Sequence, residues 1–275
     1  MKTISFSVLL SVYSKEEPCF LASALESIWD LQTVKPLEIV IVKDGPLTPE
    51  LDKVINAFQE NAPCQIVSLE KNQGLGVALG CGVIHCKNEY IARMDSDDIA
   101  LPDRFEKQMV FMSSHPEIDI CGGMIQEFSE SPDRSIGLRV LPEEADAIYS
   151  FMKFRNPFNH MTVCFKKGVI LKAGNYQTLH GYEDYWLWAR VLQAGGKGAN
   201  LPDILVYART GNNMLARRRG WKLCKSEIEL ARRLHKIGVL SFPEMLRNII
   251  LKSGVRLLPA LILKLMYKHL RKRNM

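Results

Sequence analysis

Tyr90-Ile91-Ala92-Arg93-Met94-Asp95-Ser96-Asp97-Asp98 runs from a short apolar stretch straight into a knot of carboxylates. A run of this kind reads as a strand that delivers polar side chains to one end of a sheet. Further apolar, β-branched runs lie at 6–12, 37–42, 65–69 and 118–124, and helical spacing of apolar residues fills 19–29, 49–58, 75–84 and 104–115. The strand runs are continuous rather than alternating, so both faces of the sheet are covered, as in a parallel α/β fold. Ligands of such sheets bind beyond the carboxyl ends of the strands. That rule makes Tyr13, Asp44, Lys71, Asn72 and the acids of 95–98 neighbours.

The 275 residues are 47% hydrophobic, 24% charged and 8% aromatic, which excludes a disordered chain, a fibre and a small disulfide scaffold. Net charge is +6, but eight Lys or Arg and no acid fall in 245–275, leaving 28 basic against 30 acidic residues before them. A near-neutral body with a cationic tail argues against nucleic acid as a partner. No stretch reaches the 18 uninterrupted apolar residues of a membrane span. Lys2 followed by the apolar run 4–13 imitates a signal peptide but has no small-x-small cleavage site, and is read as a first strand. The seven cysteines form no metal or redox spacing and read as reduced core positions of a cytoplasmic protein.

The body is expected over 1–210 and a helical, basic tail over 211–275. Within the tail a charged helix is expected at 217–237. A last helix at 254–273, with Pro259 near its start, sets Leu257, Leu258, Leu261, Ile262, Leu265 and Met266 in a stripe. Lys264, Lys268, Arg271, Lys272 and Arg273 flank it, the composition of a helix lying in a membrane interface or docked on its own core.

Asp95 and Asp97, two apart on a turn, suit a hard divalent cation; a solvated acidic turn is the alternative. Asp98 is read as capping or support. Asp44 offers acceptors to a nucleobase edge, or is simply the turn residue before Gly45-Pro46. Gly74-x-Gly76-x-x-x-Gly80 invites a dinucleotide reading, but Leu79 stands where the fingerprint needs glycine. Glu183 and Asp184 open a helix over 185–194, where acids favour the dipole or one of them accepts a proton from a hydroxyl. Trp186 and Trp188 flank them, one read as packed and one as a sugar platform. His160 is a lone histidine in Asn156-Pro157-Phe158-Asn159-His160 and reads first as structural.

Together these segments resemble the family 2 glycosyltransferases of GT-A fold, in particular the bacterial exopolysaccharide, O-antigen and amylovoran-type enzymes. The likeness is carried by the run from Tyr90 through Leu101-Pro102-Asp103-Arg104-Phe105 and by Gly181-Tyr182-Glu183-Asp184-Tyr185-Trp186-Leu187-Trp188. It implies a Rossmann-like, mostly parallel sheet flanked by helices, with a nucleotide-binding half at 1–125 and an acceptor half at 126–210. By resemblance Tyr13, Asp44, Lys71, Asn72, Gly74, Arg93, Asp95 and Ser96 hold the nucleotide-sugar donor. Asp95 and Asp97 bind Mn2+ or Mg2+, and Asp184, beside Glu183, is the base. Two departures matter. Lys43-Asp44 stands where the family usually carries two acids, and the Gln-x-x-Arg-Trp of processive synthases is missing, so one sugar is transferred per encounter. The resemblance further implies inversion, UDP-sugars as the donor class, and a polyprenyl-diphosphate-linked saccharide acceptor met at the inner face of the cell membrane. A non-catalytic nucleotide- or partner-binding protein would have dispensed with one of Asp95, Asp97 or Asp184. A nucleotidyltransferase would place a Gly-rich loop where this chain has Ser14-Lys15-Glu16-Glu17.

Overall fold

A computed structural model describes residues 4–210 and 220–257. The first half alternates as the apolar runs dictate: β1 (Phe6–Val12), α1 (Pro18–Ile28), β2 (Glu38–Lys43), α2 (Pro49–Gln59), β3 (Cys64–Ser68), α3 (Leu75–His85) and β4 (Tyr90–Met94). A two-residue β5 (Ile99–Ala100) and α4 (Arg104–Ser114) follow. Proline at the first helical turn starts α1 and α2, where its missing N–H costs nothing. Thr48 caps α2 by accepting from the Leu51 N–H at 3.4 Å.

The second half supplies β6 (Ile120–Phe128), β7 (Ser135–Arg139), α5 (Ala145–Met152), a 3-10 turn (His160–Thr162), β8 (Cys164–Lys166), α6 (Lys167–Lys172), α7 (Glu183–Gln193) and β9 (Gly198–Arg209). Then come α8 (Trp221–Lys236), α9 (Phe242–Asn248), a π-helical turn (Ile249–Ser253) and a last helical turn (Gly254–Leu257). The remainder of the expected 254–273 helix, with most of its apolar stripe, lies outside the described residues, as does the start of the one expected at 217–237.

The strands form one mixed sheet in the order β3-β2-β1-β4-β8-β6-β9-β5, with β7 on β6. β1 pairs in parallel with β2 and β4, and β6 with β9; β8 runs antiparallel between β4 and β6. Continuous apolar strands follow from two cores. Val8, Leu10, Ile39 and Ile41 pack with Leu25, Phe105 and Met109 on one face. Leu9, Val40 and Val42 pack with Leu79, Val83, Leu187 and Trp188 on the other. The run imitating a signal peptide contains β1, which is buried except at the half-buried Ser11. Strand 37–42 shifts by one, because Leu37 is exposed while Glu38 is buried and accepts from Ser7 Oγ at 2.7 Å and the Lys87 N–H at 2.8 Å. All seven cysteines are free, and four of them are buried.

Candidate active site

The carboxyl ends of β1, β2 and β4 meet α3 and α7 above the sheet. Asp44, at the end of β2, is buried and already occupied. Its two oxygens accept the Gln73 N–H at 2.7 Å and the Gly74 N–H at 3.0 Å, and Asn72 Nδ2 donates to its carbonyl at 3.2 Å. The loops after β2 and β3 are thereby locked together. Gly45 has φ +84°, and a Cβ there would meet Asn72 N at 2.5 Å, so this close approach needs glycine. Lys43, where the family usually has an acid, turns away to pair with Asp52 of α2 at 2.6 Å. Tyr13, Lys71 and Asn72 are exposed on the rim.

Gly76 and Gly82 explain the glycine-rich stretch without a dinucleotide fingerprint. A Cβ on Gly76 would meet Glu183 Cγ at 2.9 Å, and one on Gly82 would meet Val42 Cγ2 at 2.9 Å. They bring α3 down onto α7 and the sheet.

β4 is the spine of the site. Arg93 is 1% exposed, and its Nη2 pairs with Asp95 Oδ1. Its Nε and Nη1 are buried with no hydrogen-bond partner among the described residues. Burial pulls the guanidinium pKa down, but Asp95, Tyr176 and Asp184 outweigh it and raise the value. Arg104 of α4, also buried, donates from Nη2 to the Arg93 carbonyl at 2.6 Å; burial lowers its pKa to about 9. Ser96 gives its hydroxyl to Glu16 Oε2 at 2.5 Å, tying the acidic turn to the loop after β1.

Asp95, Asp97 and Asp98 each present a carboxylate oxygen, and these lie within 4.8 Å of one another. An all-oxygen set suits Mg2+ or Mn2+. Burial, then the charges of Asp95 and Asp97, raises the Asp98 pKa well above the ordinary aspartate value, and a cation would relieve that crowding. The residues therefore fit the ion. Asp98, read from sequence as support, belongs to the cluster while also accepting the Arg209 N–H at 2.7 Å. Arg209 adds a bond from Nε to the Asp97 carbonyl at 3.0 Å and lies over the rings of Phe20 and Phe128.

Asp184 sits in the first turn of α7. Asn156 Nδ2 donates to its Oδ2 at 2.5 Å, and His160 Nδ1 stands 4.0 Å from the same oxygen. Burial raises the Asp184 pKa against hydrogen bonds from the Tyr185 N–H and Asn156 and the charge of Arg93. Burial, reinforced by Arg93, drives His160 well below 6.5, so it is neutral; its Nε2 lies 2.9 Å from Tyr176 Oη. Asn156 and Tyr176 are the residues that sequence reading passed over; the run containing His160 was the available signal. Glu183 packs against α3, and burial raises its pKa as well. Neither tryptophan is a sugar platform. Trp188 is fully buried among Phe158, Phe165 and Tyr176, and Trp186 is 7% exposed with Nε1 donating to Gln177 at 2.9 Å.

The family pattern described as "Glycosyl transferase family 2" matches residues 7–178. The chain is 42% identical to the amylovoran biosynthesis glycosyltransferase AmsE of Erwinia amylovora over 97% of this chain and 99% of that one. It is 37% identical, over 97% of this chain and 96% of the other, to the UDP-Gal:alpha-D-GlcNAc-diphosphoundecaprenol beta-1,3-galactosyltransferase of Escherichia coli. Among solved structures, S. aureus TarS in complex with UDP-GlcNAc superposes with a TM-score of 0.67 at 16% identity, covering 90% of this chain and 70% of that one.

Proposed function

The chain belongs to glycosyl transferase family 2 and is a glycosyltransferase of GT-A fold; from that premise we propose that it transfers one sugar from a UDP-sugar to a saccharide on a polyprenyl diphosphate, with inversion, in building a bacterial surface polysaccharide. The observation that carries the reading is Arg93, a buried cation paired with Asp95 and felt electrostatically by Asp184, so that the acidic turn and the candidate base surround one charge. The E. coli relative's name specifies a UDP-sugar and a diphosphoundecaprenol acceptor, and the E. amylovora relative's name a polysaccharide product.

Asp184 takes the proton of the attacking hydroxyl, a contribution of typically ~10²–10⁴-fold. Asn156 fixes one of its oxygens, Oδ2, and so orients the carboxylate. Arg93 holds Asp95 in place and contributes positive charge that favours negative charge developing nearby. A divalent ion held by Asp95 and Asp97, with Asp98 beside them, would neutralise charge growing on the departing diphosphate. Attack from the side opposite that leaving group inverts the anomeric centre. Among the described residues no helix is long and apolar enough to cross a membrane; the basic C-terminal segment supplies peripheral attachment to the cytoplasmic face.

The test is a screen of UDP-sugars against lipid-diphosphate-linked acceptors, with and without Mn2+, reading the product anomer by NMR. Metal-dependent formation of a single inverted product supports the reading; absence of both transfer and donor hydrolysis with every donor sinks it.

A further inference from the structure

Glu227 of α8 is 3% exposed and draws cations towards it. Arg256 Nη2 lies 3.0 Å from its Oε2 and Lys252 Nζ 3.9 Å from its Oε1, and the Tyr182 hydroxyl donates to it as well. Lys252 is also within electrostatic reach of Arg155, Arg247 and Arg256, so two cations paired with a buried carboxylate have two more close by. Arg155 and Arg247 are exposed and make no ion pair among the described residues. Segments 1–3, 211–219 and 258–275 contain no Asp or Glu, so they hold no side chain that could neutralise the excess.

Next to these cations is an apolar face. Phe242, Leu246 and Ile250 follow one another at four-residue spacing and are exposed by 58%, 42% and 71%. Arg247 lies over the ring of Phe154, 4.5 Å from its centroid, and joins the face to the loop that carries Arg155 and Asn156. Asn248 Nδ2 pins that loop through the Lys153 carbonyl at 2.8 Å. The same loop holds the candidate base through Asn156, and Tyr182 lies two residues before Asp184. Unbalanced cations beside an open apolar strip match a ligand with an anionic head on a hydrocarbon chain. Lys252 and Arg256 are recessed, with only 25% and 21% of their side chains exposed, so the anion must reach inwards. A diphosphate carried between a sugar and a single lipid chain does so; a flat anionic leaflet does not.

We propose that Arg155, Arg247, Lys252 and Arg256 seat the diphosphate of the lipid-linked acceptor, with its chain laid along Leu246 and Ile250. This rests on the acceptor class proposed above, and it adds a position for the anion beside Asp184.

The full chain is sedimented, without donor, with phosphatidylcholine vesicles that carry or lack a polyprenyl diphosphate. Wild type binds more tightly when the diphosphate is present. The double substitution Arg155→Glu, Arg247→Glu, at exposed positions, removes that increment, and Arg155→Lys, Arg247→Lys retains most of it. In the transfer assay the acidic variant raises the acceptor KM by roughly tenfold or more at unchanged kcat. No increment in wild type overturns the proposal. So does an equal increment, equally lost, on phosphatidylglycerol vesicles of matched charge. Because binding is read without turnover, a failed sugar screen leaves this outcome interpretable, and a failed binding test leaves the glycosyltransferase reading standing.

Discussion

Asn156 donates its side-chain amide to Asp184 at 2.5 Å, from a loop that precedes it by 28 residues. The bond favours the charged carboxylate and partly offsets the burial that raises its pKa. A base works only when deprotonated, so activity falls as pH drops through that raised value. Removing the amide by Asn156→Ala raises it further. The acid limb of kcat/KM against pH then moves to higher pH; a limb that stays put or moves down refutes the assignment.

Asp184→Asn keeps the shape and removes the proton acceptor. Transfer is expected to fall by ~10²–10⁴-fold while UDP binding, measured by calorimetry, stays near wild type. Wild-type turnover in this variant removes Asp184 from the mechanism.

His160 contributes no inflection near the ordinary histidine value of 6.5, because burial and Arg93 keep it neutral. His160→Gln is expected to lower the rate by loosening Tyr176 and Asp184 without changing the shape of the pH profile in that region. Disappearance of a limb there would show that the imidazole titrates during turnover.

Mn2+ raises the thermal midpoint of the wild-type protein, since an ion bound only by the folded chain stabilises it by mass action. Asp97→Asn is expected to abolish that rise and depress transfer, and a chelator depresses wild-type transfer in the same way. An undiminished shift in the variant places the ion elsewhere.

Gly82→Ala tests the packing of α3. In an open helix the change gains up to ~1 kcal/mol. Here the new methyl meets Val42 Cγ2 at 2.9 Å as well as Leu9, and overpacking of this kind costs about 1–3 kcal/mol. A lower denaturation midpoint is expected; a higher one shows that the sheet gives way.

The parallel half was legible because β1, β2 and β4 are buried on both faces and so are apolar at most positions instead of at every second one. The turn after Met94 was legible because its acids follow such a strand. The antiparallel place of β8 was not, since the short apolar strand after the His160 run, Cys164–Lys166, shows no period, and β9 is interrupted by Pro202 and Asp203 where its register on β6 shifts. Asn156 and Tyr176 carry no local mark; only the fold sets them around His160 and Asp184. The tryptophans misled because helical spacing does not say which neighbour closes over an aromatic ring. Trp186 is covered by Gln177, Arg190 and Arg233, contacts from three separate segments.

The Arg209 clasp on Asp97 and Asp98 spans 112 and 111 residues, from the end of the last strand back to the acidic turn. The turn is made early in synthesis but is braced only once β9 has slotted in beside β6. A ribosome-bound chain that has released residues up to Asp98 thus owns the acids without their fixed arrangement. The fixed arrangement of these acids is therefore a product of the completed sheet and not of the turn's own sequence.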